Sequence, residues 1–367
     1  MKARHFFVGG FILCLLTVQP VQAKTFELSQ DIRLGIHTFY QLNYDYMTKM
    51  AMGMNMMGMQ KVMVMDAQSY AQLKNLNVLL SLETTRFRTK LYLETENSWS
   101  GGAPPENTIK RDLEREVRIS EASVGTFITS EIEVTAGKLI PPFGFYNNQY
   151  FDSTVVLPFI YDPPANYRAL ETHPNDNFLV DREANLLVNG YHMLNEEESL
   201  EAVVGAYIGF GDDTNFGLDG QLIINENIIT GISFQRSKAN EYIYAGRIRF
   251  PLLRENLNLQ SEYLTASLRS SFRQKISWNV LLEYDLYPFI LYSRLDHLSD
   301  TGEPVYKVGH KRATVGFQHY FSEHLSLKSE FHIHYYDRPD DLMLMPGVSL
   351  SDIRTNTMVR IALVGTF

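Results

Sequence analysis

A two-residue alternation runs through the segment IRLGIHTFYQLNYDY, residues 32–46. Apolar and aromatic residues dominate the even positions from Ile32 to Tyr46, whereas polar residues such as Arg33 and Asp45 occupy odd positions. Because successive side chains of a strand point to opposite faces, the segment is predicted to be one strand with an apolar face and a mostly polar face. Strands in soluble proteins usually run about 5–6 residues, so the length of this strand favours one that spans a membrane.

The same alternation returns along the chain, and charged residues keep to one parity. Arg88 and Lys90, for example, alternate with Thr89 and Leu91. A charge facing lipid at mid-bilayer costs roughly 2–4 kcal/mol, so the charged parity is expected to face water. The pattern predicts an all-β fold, a transmembrane antiparallel β-barrel of about 16 strands that is apolar outside and polar around a water-filled lumen. The predicted strands cover residues 31–46, 70–83, 86–97, 116–128, 131–139, 178–192, 199–209, 220–225, 228–236, 242–251, 256–267, 274–286, 289–298, 309–321, 325–336 and 355–367.

The connections between the predicted strands also fit such a barrel. Short turns alternate with longer segments, which is the asymmetry between the periplasmic turns and the extracellular loops of outer-membrane barrels. The last strand ends on Phe367 and resembles the assembly signal of Gram-negative outer-membrane proteins. No apolar run approaches the ~18 residues of a membrane-spanning helix.

Residues 1–23 have the layout of a signal peptide. Lys2 and Arg4 precede an apolar run, and small residues lead to a predicted cleavage site near Ala23. The remaining residues, 24–367, are predicted to form one barrel.

The only cysteine, Cys14, lies in the removed segment, which excludes disulfides, cysteine-ligated metals and covalently attached haem. No cofactor is predicted, and a net charge of −9 argues against nucleic acid as a partner.

The parity of the strands also predicts which charged residues face the lumen. Basic and acidic residues are nearly balanced on this parity, so the pattern favours neither anion nor cation selectivity. Three of the basic residues form a local strip on one predicted strand. The predicted pore-lining and constriction residues are Arg33, Arg86, Arg88, Lys90, Asp162, Arg168, Arg247, Arg249, Arg294 and Arg312.

The segment VTAGKLIPPFGFYNNQYFDS, residues 134–153, contains the pair Gly137-Lys138 and then Pro142-Phe143-Gly144. It resembles the stretch in phosphate-selective porin O/P-type proteins and related porins where a strand with a glycine-basic pair runs into Pro-Phe-Gly. The rest of the chain is similar to these proteins only in its strand layout and aromatic end. The resemblance implies a trimeric outer-membrane porin whose third loop folds into the pore. The phosphate-binding residues of that family find no match by position here, so phosphate selectivity is not carried over.

The connection over residues 140–177 is the longest one in the predicted layout. Two proline pairs, at 141–142 and 163–164, stiffen it by fixing φ, and Asp162 and Arg168 give it mixed charge. A stiff loop of mixed charge suits a constriction that selects solutes, and the resemblance implies that this loop folds inward. The alternative is a loop that lies on the surface and never enters the lumen.

The segment MTKMAMGMNMMGMQKVMVM, residues 47–65, is predicted to be the first long extracellular loop. It holds nine of the chain's fourteen methionines. Thioethers favour Cu(I) and similar soft ions, and the candidate ligands at MxM and MxxM spacing are Met52, Met54, Met56 and Met59. Flexible thioethers serve equally as adaptable packing against a neighbouring subunit or the pore mouth, so the sequence leaves both interpretations open.

Two functions follow from these observations. The first is a passive diffusion channel for small hydrophilic solutes or ions, a homotrimer embedded in the outer-membrane lipid of a Gram-negative cell. The alternative is a barrel that binds soft metal through the methionine-rich loop or sheathes a redox partner.

Two other segments carry candidate metal ligands. His332 and His334 share the lumen parity but lack a clear third ligand, and residues 212–219 are interpreted as a polar turn. The chain contains no G-x-S-x-G, P-loop or H-E-x-x-H motif, so no enzyme is predicted.

Overall fold

The computed structural model consists almost entirely of β-strands. It describes residues 24–29, 31–47, 50–56, 59–65, 68–96, 116–139, 141–145, 184–195, 199–210, 215–236, 241–252, 256–268, 273–300, 309–337, 343–344 and 355–366. The strands are β1 (Lys24–Ser29), β2 (Ile32–Met47), β3 (Met50–Met56), β4 (Met59–Met65), β5 (Gln68–Thr84), β6 (Phe87–Glu96), β7 (Glu116–Phe127), β8 (Ile132–Leu139), β9 (Ala184–Met193), β10 (Leu200–Gly209), β11 (Asn215–Ile224), β12 (Ile228–Arg236), β13 (Glu241–Pro251), β14 (Leu257–Leu268), β15 (Arg273–Leu286), β16 (Phe289–Asp300), β17 (Gly309–Ser322), β18 (Leu325–Asp337), β19 (Met343–Leu344) and β20 (Thr355–Thr366). Within the described ranges, no helix has the length and apolar character that a membrane span requires.

Strand β2 closes the main sheet on itself. On one side it pairs along its whole length with β5, with Ile32 opposite Thr84. On the other side its C-terminal half pairs with β20, with Phe39 opposite Thr366, and its first residues pair with β1. Consecutive pairing from β5 to β18, and of β18 with β20, completes a closed antiparallel barrel of sixteen strands. The predicted fold class is confirmed.

Burial in the barrel is inverted relative to a soluble β-sandwich. Outward positions carry large apolar side chains in the open, such as Ile232, which is 75% exposed, and Leu295, which is 53% exposed. Inward positions carry charged groups that their neighbours cover, such as Arg294 and Arg312, each 1% exposed. An apolar outer surface of this extent suits hydrocarbon rather than water. The apolar parity therefore lies outside and the charged parity inside, as predicted.

The two rims of the barrel differ in the length of their connections. At the short-turn rim, neighbouring strands are joined by segments such as 85–86, 225–227 and 287–288. At the long-loop rim, the connections include 97–115 and 140–183. Strand β1 adjoins the start of β2, and the C-terminal end of β20 adjoins the turn 323–324, where the backbone N–H of Thr366 donates to His324 O, so both lie at the short-turn rim.

Two stretches differ from the sequence prediction. Residues 47–65 contain a hairpin of β3 and β4, with β19 as a parallel third strand, and are not simply a loop. Methionine is not among the β-branched and aromatic residues that mark strands, so the run carries little strand signal. Residues 212–219 are not a polar turn throughout, because β11 begins at Asn215 and places Asp219 on the inner wall. Gly217 and Gly220 interrupt the apolar alternation there and conceal the strand.

The assignment of the two faces can be tested by placing the same charge on each. Ile232→Lys puts an ammonium group on the outer face, where we expect the free energy of unfolding from lipid vesicles to fall by roughly 2–4 kcal/mol. Ile223→Lys, on the neighbouring strand, puts the same group on the inner face opposite Glu201 and is expected to change the stability little. Denaturant titration followed by tryptophan fluorescence measures both variants. Equal losses would contradict the assignment.

Candidate functional site

The segment that follows β8 turns inward and lies on the inner wall of the barrel. The backbone N–H of Gly144 donates a hydrogen bond to Ser233 Oγ on β12, at 3.0 Å. The backbone N–H of Phe145 donates to Glu262 Oε1 on β14, at 2.7 Å. Both acceptors are buried. Residues 141–145, which we call the inward segment, are therefore tied to strands on the wall from inside the lumen.

Glycine at position 144 is required by this geometry. Gly144 has a φ of 64°, in the left-handed region that side chains disfavour. A Cβ at this position would also collide with the Glu262 carboxylate that accepts the neighbouring hydrogen bond. Gly137, with a φ of 131°, sits where the pairing of β8 with β9 becomes irregular, close to the backbone of Ala122. These two glycines let the chain leave the wall and return to it.

Arg247 joins the inward segment to the wall. Its guanidinium donates to both carboxylate oxygens of Asp219, at 2.6 and 2.7 Å, and to Ser233 Oγ at 2.8 Å. The same group lies 5.8 Å from the ring centre of Phe145. A bidentate arginine–carboxylate pair fixes orientation as well as charge. The hydroxyl that accepts from Gly144 is thus held by an ion pair behind it.

An apolar cluster lies on the inner wall beside this anchor. Phe143 packs there against inward side chains of β8 to β10, β13 and β14, and is only 4% exposed. Burying a phenylalanine side chain stabilises a fold by about 1.5–3 kcal/mol. The cluster comprises Leu139, Phe143, Leu187, Tyr207, Ile243, Ala245, Leu264 and Ala266. The inward segment is consequently held by packing as well as by hydrogen bonds.

A second group of buried charges lines strands β16, β17, β20 and β2. Arg294 and Arg312 both donate to Asp296 Oδ2, at 3.0 and 2.8 Å. Arg360 on β20 donates to Asp45 on β2, at 2.8 Å, across the seam that closes the barrel. The three guanidinium groups thus each have a carboxylate within hydrogen-bond distance on the same wall.

Strand β18 adds a histidine and a glutamate to this wall. Glu330 accepts a hydrogen bond of 2.7 Å from the hydroxyl of Tyr292 and lies 2.9 Å from His332 Nε2. The other ring nitrogen of His332 is 3.0 Å from the hydroxyl of Thr314. His334 is also buried on this face. The predicted lumen parity of both histidines is correct. The described neighbours of the His332 ring are the Thr314 hydroxyl, the Glu330 carboxylate and the His334 ring, whose centroid is 5.8 Å away.

Exposure of the inner wall changes along the barrel axis. Near the short-turn rim, inward charged groups such as Arg33, Glu83, Arg249 and Asp285 are partly or fully exposed. At mid-height the inward groups described above are buried. These exposed groups line an opening at the short-turn rim, which we call the vestibule, whereas Gln318, Ser326 and Lys328 near the same rim on β17 and β18 are buried.

The predicted site residues fall into five groups. Arg247, Arg294 and Arg312 are buried in the two networks on the inner wall. Arg33, Arg88, Lys90 and Arg249 face the vestibule side of the lumen, whereas Arg86 lies in the turn between β5 and β6. Asp162 and Arg168 lie outside the described residues, as do most of the predicted loop 140–177 and residues 1–23. The predicted metal ligands Met52, Met54, Met56 and Met59 lie in β3 and β4.

The predicted basic strip is in part neutralised by carboxylates. Arg88 lies 3.1 Å from Glu83 on β5 and 3.8 Å from Glu133 on β8. Sequence reasoning missed Asp219 and Ser233 as partners of Arg247. One sequence signal could have identified Asp219. Once β11 is extended back to residue 215, Asp219 and Gln221 lie on the same inward face of the strand.

Comparison with known proteins identifies the fold of this chain but not its family. No family model matches the chain, and no curated protein sequence does either. The chain has the fold of solved outer-membrane porins. An anion-selective porin from Comamonas acidovorans superposes with a TM-score of 0.61 at 11% identity, covering 92% of this chain and all of the porin. The outer membrane channel DcaP of Acinetobacter baumannii gives 0.56 at 10% identity, with 93% and 99% covered.

A third solved structure is the trimer form of OmpT from Vibrio cholerae. Its TM-score is 0.55 at 10% identity, covering 91% of this chain and 99% of that one. Identities this low show a common fold alone. The general porin fold predicted from the sequence is thus confirmed, whereas membership of the phosphate-selective O/P family is not.

The position of the inward segment can be tested by disulfide trapping, because the only cysteine of the chain is Cys14. A Cβ built on Gly205 lies 3.0 Å from Cγ of Pro142, so the pair Pro142→Cys and Gly205→Cys is expected to crosslink under mild oxidation. Pairing Pro142→Cys with Gly246→Cys, which is on the outer face, is the matched control. Non-reducing electrophoresis measures both. Crosslinking only in the control would refute the inward path.

Proposed function

We propose that this protein is a passive channel of the Gram-negative outer membrane that admits small hydrophilic solutes or ions. The observation that carries the proposal is the inverted burial of a closed barrel. Large apolar side chains such as Ile232 lie on the outside, and charged groups such as Arg294 lie inside. A lumen lined by charged and polar groups offers water and ions a route that hydrocarbon denies them.

The inward segment is the proposed start of the constriction. It is fixed to the wall by Glu262 and Ser233, and it occupies lumen volume beside the apolar cluster. We propose that the remainder of residues 140–177, with Asp162 and Arg168, continues this constriction. The partly exposed Arg33, with the other charges near the short-turn rim, would line the vestibule below it.

The proposed selectivity is weak. On the described inner wall, each guanidinium of Arg294, Arg312 and Arg360 has a carboxylate within 3.0 Å. Such pairing leaves little net field to distinguish anions from cations. It also gives no support to a phosphate site, which would require several cationic groups directed at one anion. One similar structure is an anion-selective porin, so we propose that any selectivity is a weak preference for anions.

The proposed assembly is a homotrimer surrounded by outer-membrane lipid, reached after cleavage near Ala23. The trimer form of the OmpT structure supports this arrangement by analogy of fold. A channel rather than an enzyme is proposed, since the described inner wall is built from ion pairs and hydrogen bonds that hold their members in place.

Single-channel recording in planar bilayers tests the proposal. We expect stepwise currents from the refolded protein. Glu262→Ala removes the acceptor of the Phe145 N–H and loosens the inward segment, so we expect a higher unit conductance than in the native protein. Glu201→Ala, which removes a partly exposed inward carboxylate elsewhere, serves as the control and is expected to conduct as the native protein does. The absence of current from the native protein would contradict the channel function. Equal unit conductance in the two variants would contradict the proposal that the inward segment narrows the lumen.

Selectivity can be shifted by removing one buried carboxylate. Asp296→Asn keeps the shape but leaves Arg294 and Arg312 without their shared anion. Both guanidinium groups are only 1% exposed, so their uncompensated charge would act on ions in the proposed route from a distance, and we expect the reversal potential in a KCl gradient to move towards chloride. Asp285→Asn, at the exposed short-turn rim, is expected to move it less. A shift towards potassium would contradict the proposed position of this wall along the route.

A further inference from the structure

The register of the β3–β4 hairpin gathers methionines on one face. Residues directly opposite each other in an antiparallel pair share a face, and so do alternate residues along each strand. The opposite pairs on this face are Met50 with Met65, Met52 with Met63, Met54 with Lys61, and Met56 with Met59. The positions on the other face are Ala51, Gly53, Asn55, Gln60, Val62 and Val64. The hairpin is therefore divided into a face of thioether-bearing positions and a face without any.

Four of these positions form a compact quadrilateral. We call Met50, Met52, Met63 and Met65 the methionine quartet, because they are two successive opposite pairs on one face. Opposite Cβ atoms are about 4.5–5.5 Å apart, and successive positions on one face of a strand are about 6.6–6.8 Å apart. The register therefore places four methionine positions close together on one face of the hairpin, and methionine is flexible, with three rotatable bonds. Lys61 separates the quartet from the pair at the hairpin tip.

We propose that the methionine quartet binds a monovalent soft metal ion, Cu(I) or Ag(I). Thioether sulfur is a soft, neutral donor that suits Cu(I) and offers little to Zn(II), Ca(II) or Mg(II). It carries no proton to lose, so binding is expected to be as strong at pH 5 as at pH 7, unlike binding by histidine, cysteine or carboxylate. Within the described ranges no group of three or more such residues is placed to hold a metal ion. The quartet is therefore a site of different chemistry from those familiar ligand sets.

The register selects different ligands from those suggested by spacing along the chain. The MxM and MxxM spacings point to Met52, Met54, Met56 and Met59, of which Met54 lies opposite a lysine. Pairing across the strands instead brings in Met63 and Met65. The hairpin joins β2 to β5 at the long-loop rim, and β19 from the connection between β18 and β20 pairs with β4. The site is separate from the inner-wall networks and does not depend on the proposed channel function.

Metal titration of the whole refolded protein tests the quartet. The probes are Cu(I), held reduced and competed against a chromophoric Cu(I) chelator, and Ag(I) in chloride-free buffer. In one variant Met50, Met52, Met63 and Met65 are all replaced by Leu, which is similar in volume and apolar. In the matched control, Met54, Met56, Met57 and Met59 are replaced by Leu instead. Both variants change four methionines of the same segment.

We expect the quartet variant to lose affinity by more than about 100-fold, since losing a group that merely orients a ligand already costs roughly 10–100-fold. The control variant is expected to bind as the native protein does, at pH 5 and pH 7 alike. Unchanged affinity in the quartet variant, an equal loss in both variants, or no binding by the native protein would each overturn the proposal. Far-ultraviolet circular dichroism and single-channel currents of the same samples report folding and conduction, so a failure of the channel and a failure of the metal site remain distinguishable.

Discussion

The pairing of β2 with β20 is the constraint on which the rest of the structure depends. In hydrocarbon no water is available to backbone N–H and C=O groups, so every strand of a membrane barrel needs a partner on both sides. Strand β2 meets this demand with β5 on one side and with β20 and β1 on the other. Closure removes the sheet edge and creates an inside. Because the barrel is closed, the charged side chains of the inner parity lie away from lipid.

Ionic and hydrogen-bonded networks then give this inside its shape. Charges removed from water are costly unless each has a well-placed partner, and breaking such a pair costs about 3–5 kcal/mol. The pair of Arg247 with Asp219 holds the inward segment through Ser233, while the pair of Arg360 with Asp45 bridges the closing seam. One of these ion pairs therefore helps to hold the inward segment against the wall, and the other bridges the two strands that close the barrel. In the proposed channel, the width of the route would therefore depend on the same groups that stabilise the wall.

The sequence predicted the strands and their faces well because both follow from a local period of two. Arg294 and Arg312 were placed inside by parity alone, and they are buried there. A local period of two does not specify the register between strands, and the register decides which residues are opposite each other. Asp219 contacts Arg247 from two strands away, and Met50 is opposite Met65 only through the register of β3 with β4. The path of residues 141–145 depends on a positive φ at Gly144 and on a carboxylate on β14 far along the chain.

The vestibule at the short-turn rim has an electrical consequence. In the proposed channel, an applied voltage would fall less across the exposed vestibule than across the level at which the inner wall is covered. A unit charge displaced through that whole drop gains roughly 2.3 kcal/mol per 100 mV. Arg294, Asp296 and Arg312, which lie at that level, would feel most of this force, whereas Arg33 and Asp285 would feel almost none. The ion pairs of the middle wall are therefore the elements through which a membrane potential would act on this barrel.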